Sequence, residues 1–177
     1  IEIFSAGQII FSQKQSANLA GLRSFDQKPV YLPLRKNYYA MNCGLFAAEL
    51  LDAFTQNHDP NRILFDSFAN FLKNIQQSPE ESHTLCLLIV FQLTLLRNIG
   101  SAIQIDNCYN CSAPFDNWPE IYFATRLNGL ICPACEQNYT EKIKMSPKCA
   151  ASLRDTKKLA AASNKTLAEI EKILIFH

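Results

Sequence analysis

The chain has 177 residues, 48% of them hydrophobic, and a formal charge of +1 at pH 7. That length predicts one domain with an appendage or two small ones, and near-neutrality excludes the dense cationic arm of a purely electrostatic nucleic-acid binder. The most apolar run, residues 85–96, is broken by Gln92 and Thr94 and is shorter than the ~20 residues a bilayer requires, so no membrane association is predicted.

Residues 1–34 read as strands. Ile9, Ile10 and Phe11 fall in a first strand at 8–12, and a second at 19–25 follows a polar turn at 14–18. Pro29 and Pro33 interrupt what comes next. Two or three strands are marginal alone, which predicts more sheet or a helical partner. Ile1 opens the chain in mid-pattern with no Met, which reads as a piece of a longer protein.

The middle reads as helices. Residues 37–54 carry a broad apolar face of Ala40, Leu45, Phe46, Ala47, Ala48, Leu50 and Leu51, with Cys43 and Gly44 inside it. Asp59-Pro60 reads as a cap followed by a first-turn proline. Ile63, Leu64, Phe68, Phe71, Leu72 and Ile75 then repeat mostly at steps of three or four. Ser78-Pro79-Glu80-Glu81 combines an N-cap, a first-position proline and a capping-box glutamate. The helix it opens is apolar all round, as the buried centre of a bundle is, and Gly100 fits its C-terminal cap.

Two Cys-x-x-Cys pairs follow, Cys108 with Cys111 and Cys132 with Cys135, separated by twenty residues. Each two-residue gap lets both sulfurs face one ion, and the spacing is that of a closed tetrahedral zinc site. Four thiolates leave no open position for water or substrate, so the predicted metal is structural. Iron or an iron–sulfur cluster suits the same ligands. Disulfides are disfavoured by the odd count of seven cysteines and the lack of secretory features, and redox dithiols by the lack of a βαβ pattern. A zinc deaminase needs His-x-Glu and Pro-Cys-x-x-Cys, whereas Ile131 precedes Cys132 and neither His58 nor His83 is followed by the glutamate. Between the pairs, residues 120–125 read as a strand, and Asn128-Gly129 as a tight hairpin turn with positive φ at both residues.

Ser146-Pro147 reads as another helix start, and Thr166 with Glu169 as a capping box opening a last helix of Leu167, Ile170, Ile173 and Leu174. Cys43 and Cys86 read as small buried side chains; Cys149 is an alternative ligand that the matched pairs argue against. His58 and His83 fall at helix ends, no histidine pairs recognisably with a nucleophile, and neither GxGxxG nor GxxxxGK occurs. No enzyme is therefore predicted.

Charge is uneven: residues 1–135 sum to −2 and residues 136–177 to +3. Lys142, Lys144, Lys148, Arg154, Lys157 and Lys158 form either the solvated face of a helix or a contact surface for phosphates or an acidic peptide. Some would offset the −2 charge of zinc bound to four thiolates.

Four stretches carry a resemblance. They are residues 39–51 with Glu49-Leu50-Leu51; Ile63-Leu64-Phe65-Asp66 with Phe71-Leu72; Leu95-Leu96-Arg97-Asn98-Ile99-Gly100, eight residues before Cys108; and Asn128-Gly129-Leu130-Ile131 leading into Cys132-Pro133-Ala134-Cys135. In this order, from about Leu19 onward, the chain resembles the RecO family of bacterial DNA repair and recombination mediators. Ser112 stands where that family often has glycine, Ser101 and Ala102 where it has an aromatic and a proline, and only the last strands of the family's OB-fold barrel have counterparts. The resemblance implies a mainly α fold: a helical domain over 35–177 with an inserted four-cysteine zinc knuckle and hairpin at 106–137, preceded at 1–34 by the remnant of an OB-fold. It also implies a non-catalytic mediator of the bacterial cytoplasm and nucleoid. Such a protein binds single- and double-stranded DNA, anneals strands, associates with RecR, engages the acidic tail of single-stranded-DNA-binding protein and assists RecA loading, with no small-molecule substrate. The alternative is a zinc-stabilised helical adaptor that binds protein partners without touching nucleic acid.

Overall fold

The computed structural model describes residues 2–13, 19–28, 31–56, 60–77, 80–116 and 118–175. Its first elements are two antiparallel strands, β1 (Ala6–Ser12) and β2 (Gly21–Lys28), with a register shift between Ile10 and Phe11. Ile9, Ile10, Phe11 and Leu22 on this ribbon are each more than half exposed. The expected turn at 14–18 and Pro29 lie outside the described residues. Pro33 opens a single 3-10 turn, Pro33–Lys36, where its fixed φ and missing N–H cost nothing.

About half the chain is helical, with two small sheets, which agrees with a mainly α architecture. Helix α1 (Tyr38–Phe54) is capped by Asn37, whose side chain accepts from the Ala40 N–H at 3.1 Å. Its buried stripe consists of small residues, Ala40, Cys43, Gly44 and Ala47, rather than the large ones that dominate its sequence pattern. Small side chains let the neighbours come close: a Cβ on Gly44 would sit 3.0 Å from Phe4 and 3.2 Å from Leu72.

Helix α2 (Arg62–Ile75) begins after Asn61, which accepts from the Leu64 N–H at 3.0 Å. The cap is thus Asn61, while the expected cap Asp59 and neighbouring His58 lie outside the described residues. Leu64, Phe71, Leu72 and Ile75 face inward, but Ile63 is 64% exposed. One residue is about 100° of helix, so Ile63 turns away from the stripe that Leu64 begins. Helix α3 (Glu81–Asn98) starts later than the proline motif suggests, with Glu80 as N-cap and no side-chain cap bond; Ser78 and Pro79 lie outside the described residues. Its C-terminus is as expected. Gly100 has φ +79°, its N–H reaches the Arg97 carbonyl, and the Ser101 N–H reaches the Leu96 carbonyl at 2.8 Å. That is the Schellman pattern, which requires a left-handed residue.

Helices α4 (Pro147–Arg154), α5 (Thr156–Ala160) and α6 (Asn164–Ile175) complete the fold. Ser146 caps α4 by accepting from the Cys149 N–H at 3.1 Å. The expected capping box at Thr166 does not form. The last helix begins earlier, with Ser163 accepting from the Thr166 N–H at 3.3 Å. Glu169 instead reaches across to α4, accepting from the Ser146 N–H at 2.6 Å and its hydroxyl at 2.7 Å. No helix among the described residues is long and apolar enough to cross a membrane.

Helix α3 is the wall shared by two cores. Leu88 and Phe91 face a core with α1 and α2, where Phe91 stacks on Phe71 at 5.3 Å. Ile89 and Leu96 face a second core with α4, α5, α6 and the C-terminal sheet. This two-sided burial explains an all-apolar helix. Two polar residues of α3 are buried with them, Thr84 and Gln92; Gln92, 4% exposed, donates to both Glu171 carboxylate oxygens at 2.9 Å. Burial pushes the Glu171 carboxyl above its ordinary range, and Gln92 only partly offsets this. The native state therefore holds that proton to higher pH than the unfolded chain does. Stability from this group is present at low pH and is lost as pH rises through the raised value. Urea midpoints of wild type and Glu171→Gln are expected to diverge as pH rises past 4.5, the ordinary value for a glutamate carboxyl, the variant gaining on wild type. Parallel curves would contradict it.

Candidate metal centre

The second sheet, in the order β4-β3-β5, carries the cysteines. Strand β3 (Ile121–Ala124) pairs antiparallel with β4 (Gly129–Ile131) on one side and β5 (Lys142–Met145) on the other. The hairpin between β3 and β4 is present, but its turn is longer than Asn128-Gly129. Ala124 pairs with Gly129, and a 3-10 turn at Thr125–Leu127 followed by Asn128 at φ +51° joins them. Gly129 is required for space rather than for φ: a Cβ there would lie 3.0–3.1 Å from the Tyr109 side chain. Strand β5 went unread in the sequence, although Lys142, Ile143, Lys144 and Met145 alternate polar and apolar.

Two knuckles meet at one end of this sheet. In the first, Cys108 donates its N–H to the Ala113 carbonyl at 2.8 Å and accepts at its carbonyl from the Ser112 N–H at 2.9 Å. Ser112 is held at φ +58°, a left-handed position that favours glycine. The Tyr109 N–H bonds the Leu130 carbonyl at 2.7 Å, fastening the knuckle to β4. In the second, the Cys135 N–H bonds the Cys132 carbonyl at 3.0 Å, and the chain continues into a 3-10 turn, Glu136–Asn138.

These turns bring the sulfurs of Cys108, Cys111, Cys132 and Cys135 within 4.8 Å of one another, as their spacing predicts. All are free thiols; Cys111 is exposed and the other three are buried. The Cys111 and Cys132 sulfurs are 3.7 Å apart. A tetrahedron with metal–sulfur bonds of about 2.3 Å has edges of about 3.8 Å, so the donor set fits such an ion. Backbone and side-chain donors already point at the sulfurs. The Cys132 N–H lies 3.4 Å from the Cys108 sulfur and Asn110 Nδ2 lies 3.3 Å from that of Cys135. Tyr139 orients Asn110, donating its hydroxyl hydrogen to Oδ1 at 2.9 Å. Asn110 and Tyr139 were not singled out from the sequence; the one available signal is that Asn110 sits inside a Cys-x-x-Cys gap.

Burial works to raise the Cys108 thiol, but backbone N–H groups of Cys132, Cys111 and Asn110 outweigh it and bring it down to about 6. Burial and the neighbouring sulfurs push Cys132 up to about 12. Four sulfurs this close cannot all ionise without a cation to gather them. The arrangement can hold an ion and staple two chain segments, and a closed set of four ligands leaves no position for substrate. Cys149 is elsewhere, fully buried in the helical core with its thiol raised by burial. Cys43 is likewise buried, and half-buried Cys86 donates to the Leu159 carbonyl at 3.7 Å. His83 is exposed in the first turn of α3, outside the cysteine cluster.

The basic residues do not form one helix face. Lys142 and Lys144 lie on β5 and flank Tyr122, their ammonium groups 5.7 and 6.0 Å from its ring centre. Lys142 is ion-paired with Glu136, and Lys144 with Glu120. Arg154 pairs with Asp106 at 3.1 Å and lies over the Phe115 ring. Lys148 on α4 and Lys157 and Lys158 on α5 are exposed and form no ion pair among the described residues.

A family model described as "Recombination protein O C terminal" matches residues 35–176. Among curated proteins, the DNA repair protein RecO of Syntrophus aciditrophicus is 28% identical over 135 residues, covering 76% of this chain and 51% of that protein. The DNA repair protein RecO of Anaeromyxobacter dehalogenans (strain 2CP-C) is 27% identical over 158 residues, covering 88% and 61%. That of Bacillus subtilis is 24% identical over 165 residues, covering 88% and 62%. The chain thus spans between 51% and 62% of the length of these relatives.

Proposed function

The chain belongs to the recombination protein O family, and from that premise we propose that it acts in DNA repair and recombination as a non-catalytic mediator. It would bind single- and double-stranded DNA, anneal strands, work with RecR and the acidic tail of single-stranded-DNA-binding protein in loading RecA, and do so in the bacterial cytoplasm at the nucleoid. The observation that carries this is the family match over 35–176, which spans the helices and the four-cysteine cluster together. The ion is zinc in a structural role, held by Cys108, Cys111, Cys132 and Cys135. Supporting it are the closed set of four cysteine sulfurs within 4.8 Å of one another and the 3.7 Å between those of Cys111 and Cys132. Residues 1–34 are the closing strands of an OB-like barrel, a reading supported by the exposed apolar residues of the β1–β2 ribbon. The rest, 35–177, is one helical domain carrying the zinc module at 106–137.

Annealing makes no covalent bond; it needs cations that displace counterions from two polyanions. Of the six basic residues, Lys148, Lys157 and Lys158 are the ones whose charge is uncommitted among the described residues, so we assign the phosphate contact to them. Anisotropy titrations of a labelled single strand over a range of salt test the assignment. Lys157→Ala with Lys158→Ala should weaken binding and flatten the log–log salt slope by about 1.4, the loss of two phosphate contacts. Unchanged affinity and slope would make this a solvated face. Lys142, Lys144 and Arg154 are paired internally and carry no assigned phosphate contact, and partner binding without salt-sensitive DNA affinity would establish the protein-adaptor reading for the whole chain.

A further inference from the structure

We propose that Cys111 is a redox-sensitive modification site, the thiol through which hydroperoxides open the four-cysteine centre. The inference rests on the zinc reading above and concerns how the centre comes apart. The four cysteines are unequal. Cys108, Cys132 and Cys135 are 0%, 6% and 7% exposed, packed against Ala124 and Ile131, whereas Cys111 is open to solvent. The remaining thiols offer no competing entry: Cys43 and Cys149 are buried, and Cys86 is half-buried and hydrogen-bonded. A small oxidant arriving from water meets Cys111 first. A partner for the second step is at hand, since the Cys132 sulfur lies 3.7 Å away.

The chemistry balances with the peroxide as the sole oxidant. The Cys111 thiolate attacks one peroxide oxygen; an S–O bond forms, the O–O bond breaks, and hydroxide leaves, with sulfur oxidised by two electrons to a sulfenic acid. The Cys132 thiolate then attacks that sulfur; an S–S bond forms, the S–O bond breaks, and a second hydroxide leaves. Two of the four ligands are consumed in one disulfide, and Cys108 and Cys135 alone cannot close a tetrahedron. Because Cys111 and Cys132 come from different knuckles, the product ties the hairpin shut while releasing the ion.

The full chain, purified with its zinc, is treated with limiting hydrogen peroxide, quenched with an alkylating reagent and mapped by mass spectrometry, while a chromogenic chelator follows zinc release. Cys111 should lose reactivity at least about fivefold faster than Cys108 or Cys135, with a linked Cys111–Cys132 peptide growing in step with free zinc. Equal rates at the four cysteines, or a first disulfide that lacks Cys111, would overturn the proposal. Cys111→His keeps a fourth ligand and should slow peroxide-driven zinc release at least about fivefold, and undiminished release would also overturn it. Should that variant fail to hold zinc, the wild-type map decides alone. Zinc content before treatment tests the zinc reading separately, because the order of thiol modification is read whichever ion is bound.

Discussion

Chelating the ion, or replacing Cys108 with serine, is expected to melt the sheet of β3, β4 and β5 while leaving α1, α2 and the face of α3 toward them folded. The cluster beneath the sulfurs is small, with buried members Cys108, Ala124, Ile131, Cys132 and Cys135. Three of these five are cysteines of the proposed site, so little apolar burial would remain to hold the two knuckles without an ion. In peptides that fold only around zinc, the ion supplies about 10–16 kcal/mol. Here part of the sheet also packs on helices, so the loss will be smaller, yet at least about 4–5 kcal/mol, the range reached when a metal is lost. For a chain of this size that corresponds to a fall of roughly 8–20 °C in Tm. The damage has a boundary. Leu34, Phe71, Leu72 and Phe91 form their own core, which contains no residue of the sheet. Hydrogen exchange should therefore show the Phe123, Leu130 and Ile143 amides losing protection on chelation, with those of α2 unchanged. A metal-free protein with unaltered exchange at the sheet would remove the structural role assigned to the ion.

The sequence made some of this legible and hid the rest, for identifiable reasons. The clustering of the four cysteines was readable because Cys-x-x-Cys is a local geometric demand that little else satisfies. The all-apolar pattern of α3 correctly indicated a central helix, because burial on both sides leaves no polar face. Two helix starts differ from their capping sequences, and a cause is visible for the second. Ser78-Pro79 and Thr166 with Glu169 are good capping sequences, yet α3 begins after Glu80 and α6 after Ser163. Local capping energies of about 1 kcal/mol are easily overruled when a side chain finds a tertiary partner, as Glu169 does at Ser146. Strand β5 is hard to read in the sequence because four residues give a weak period and its lysines read equally as solvated charge. The pairing of Lys144 with Glu120 depends on β3 and β5 lying side by side, and no local pattern carries that information, whereas Lys142 pairs with Glu136 in the 3-10 turn just before its own strand.

Phe123→Ala is expected to cost about 3–5 kcal/mol, near the ceiling for one truncation. Phe123 is fully buried on the central strand, and its backbone pairs with Leu130 on one side and Ile143 on the other. Its side chain enters the core that Ile89, Ile170 and Cys149 build from three helices, on the opposite face from Tyr122. It is therefore the bolt between the stapled sheet and the helical domain. Truncation leaves a cavity that strands paired on both sides cannot collapse to fill. The four ligands are untouched, so the variant should still bind one ion. That separates it from Cys108→Ser, which loses stability and metal together. The two perturbations should also be less than additive, because they act on one route. In the proposed zinc role the ion orders the sheet, and through Phe123 and its neighbours the sheet would support the helices, so once this bolt is truncated, chelation should have less left to destabilise. Urea unfolding of wild type and Phe123→Ala, each with and without chelator, completes the cycle. A coupling of at least about 1 kcal/mol is the expected result, and strict additivity would mean that sheet and helices are stabilised independently.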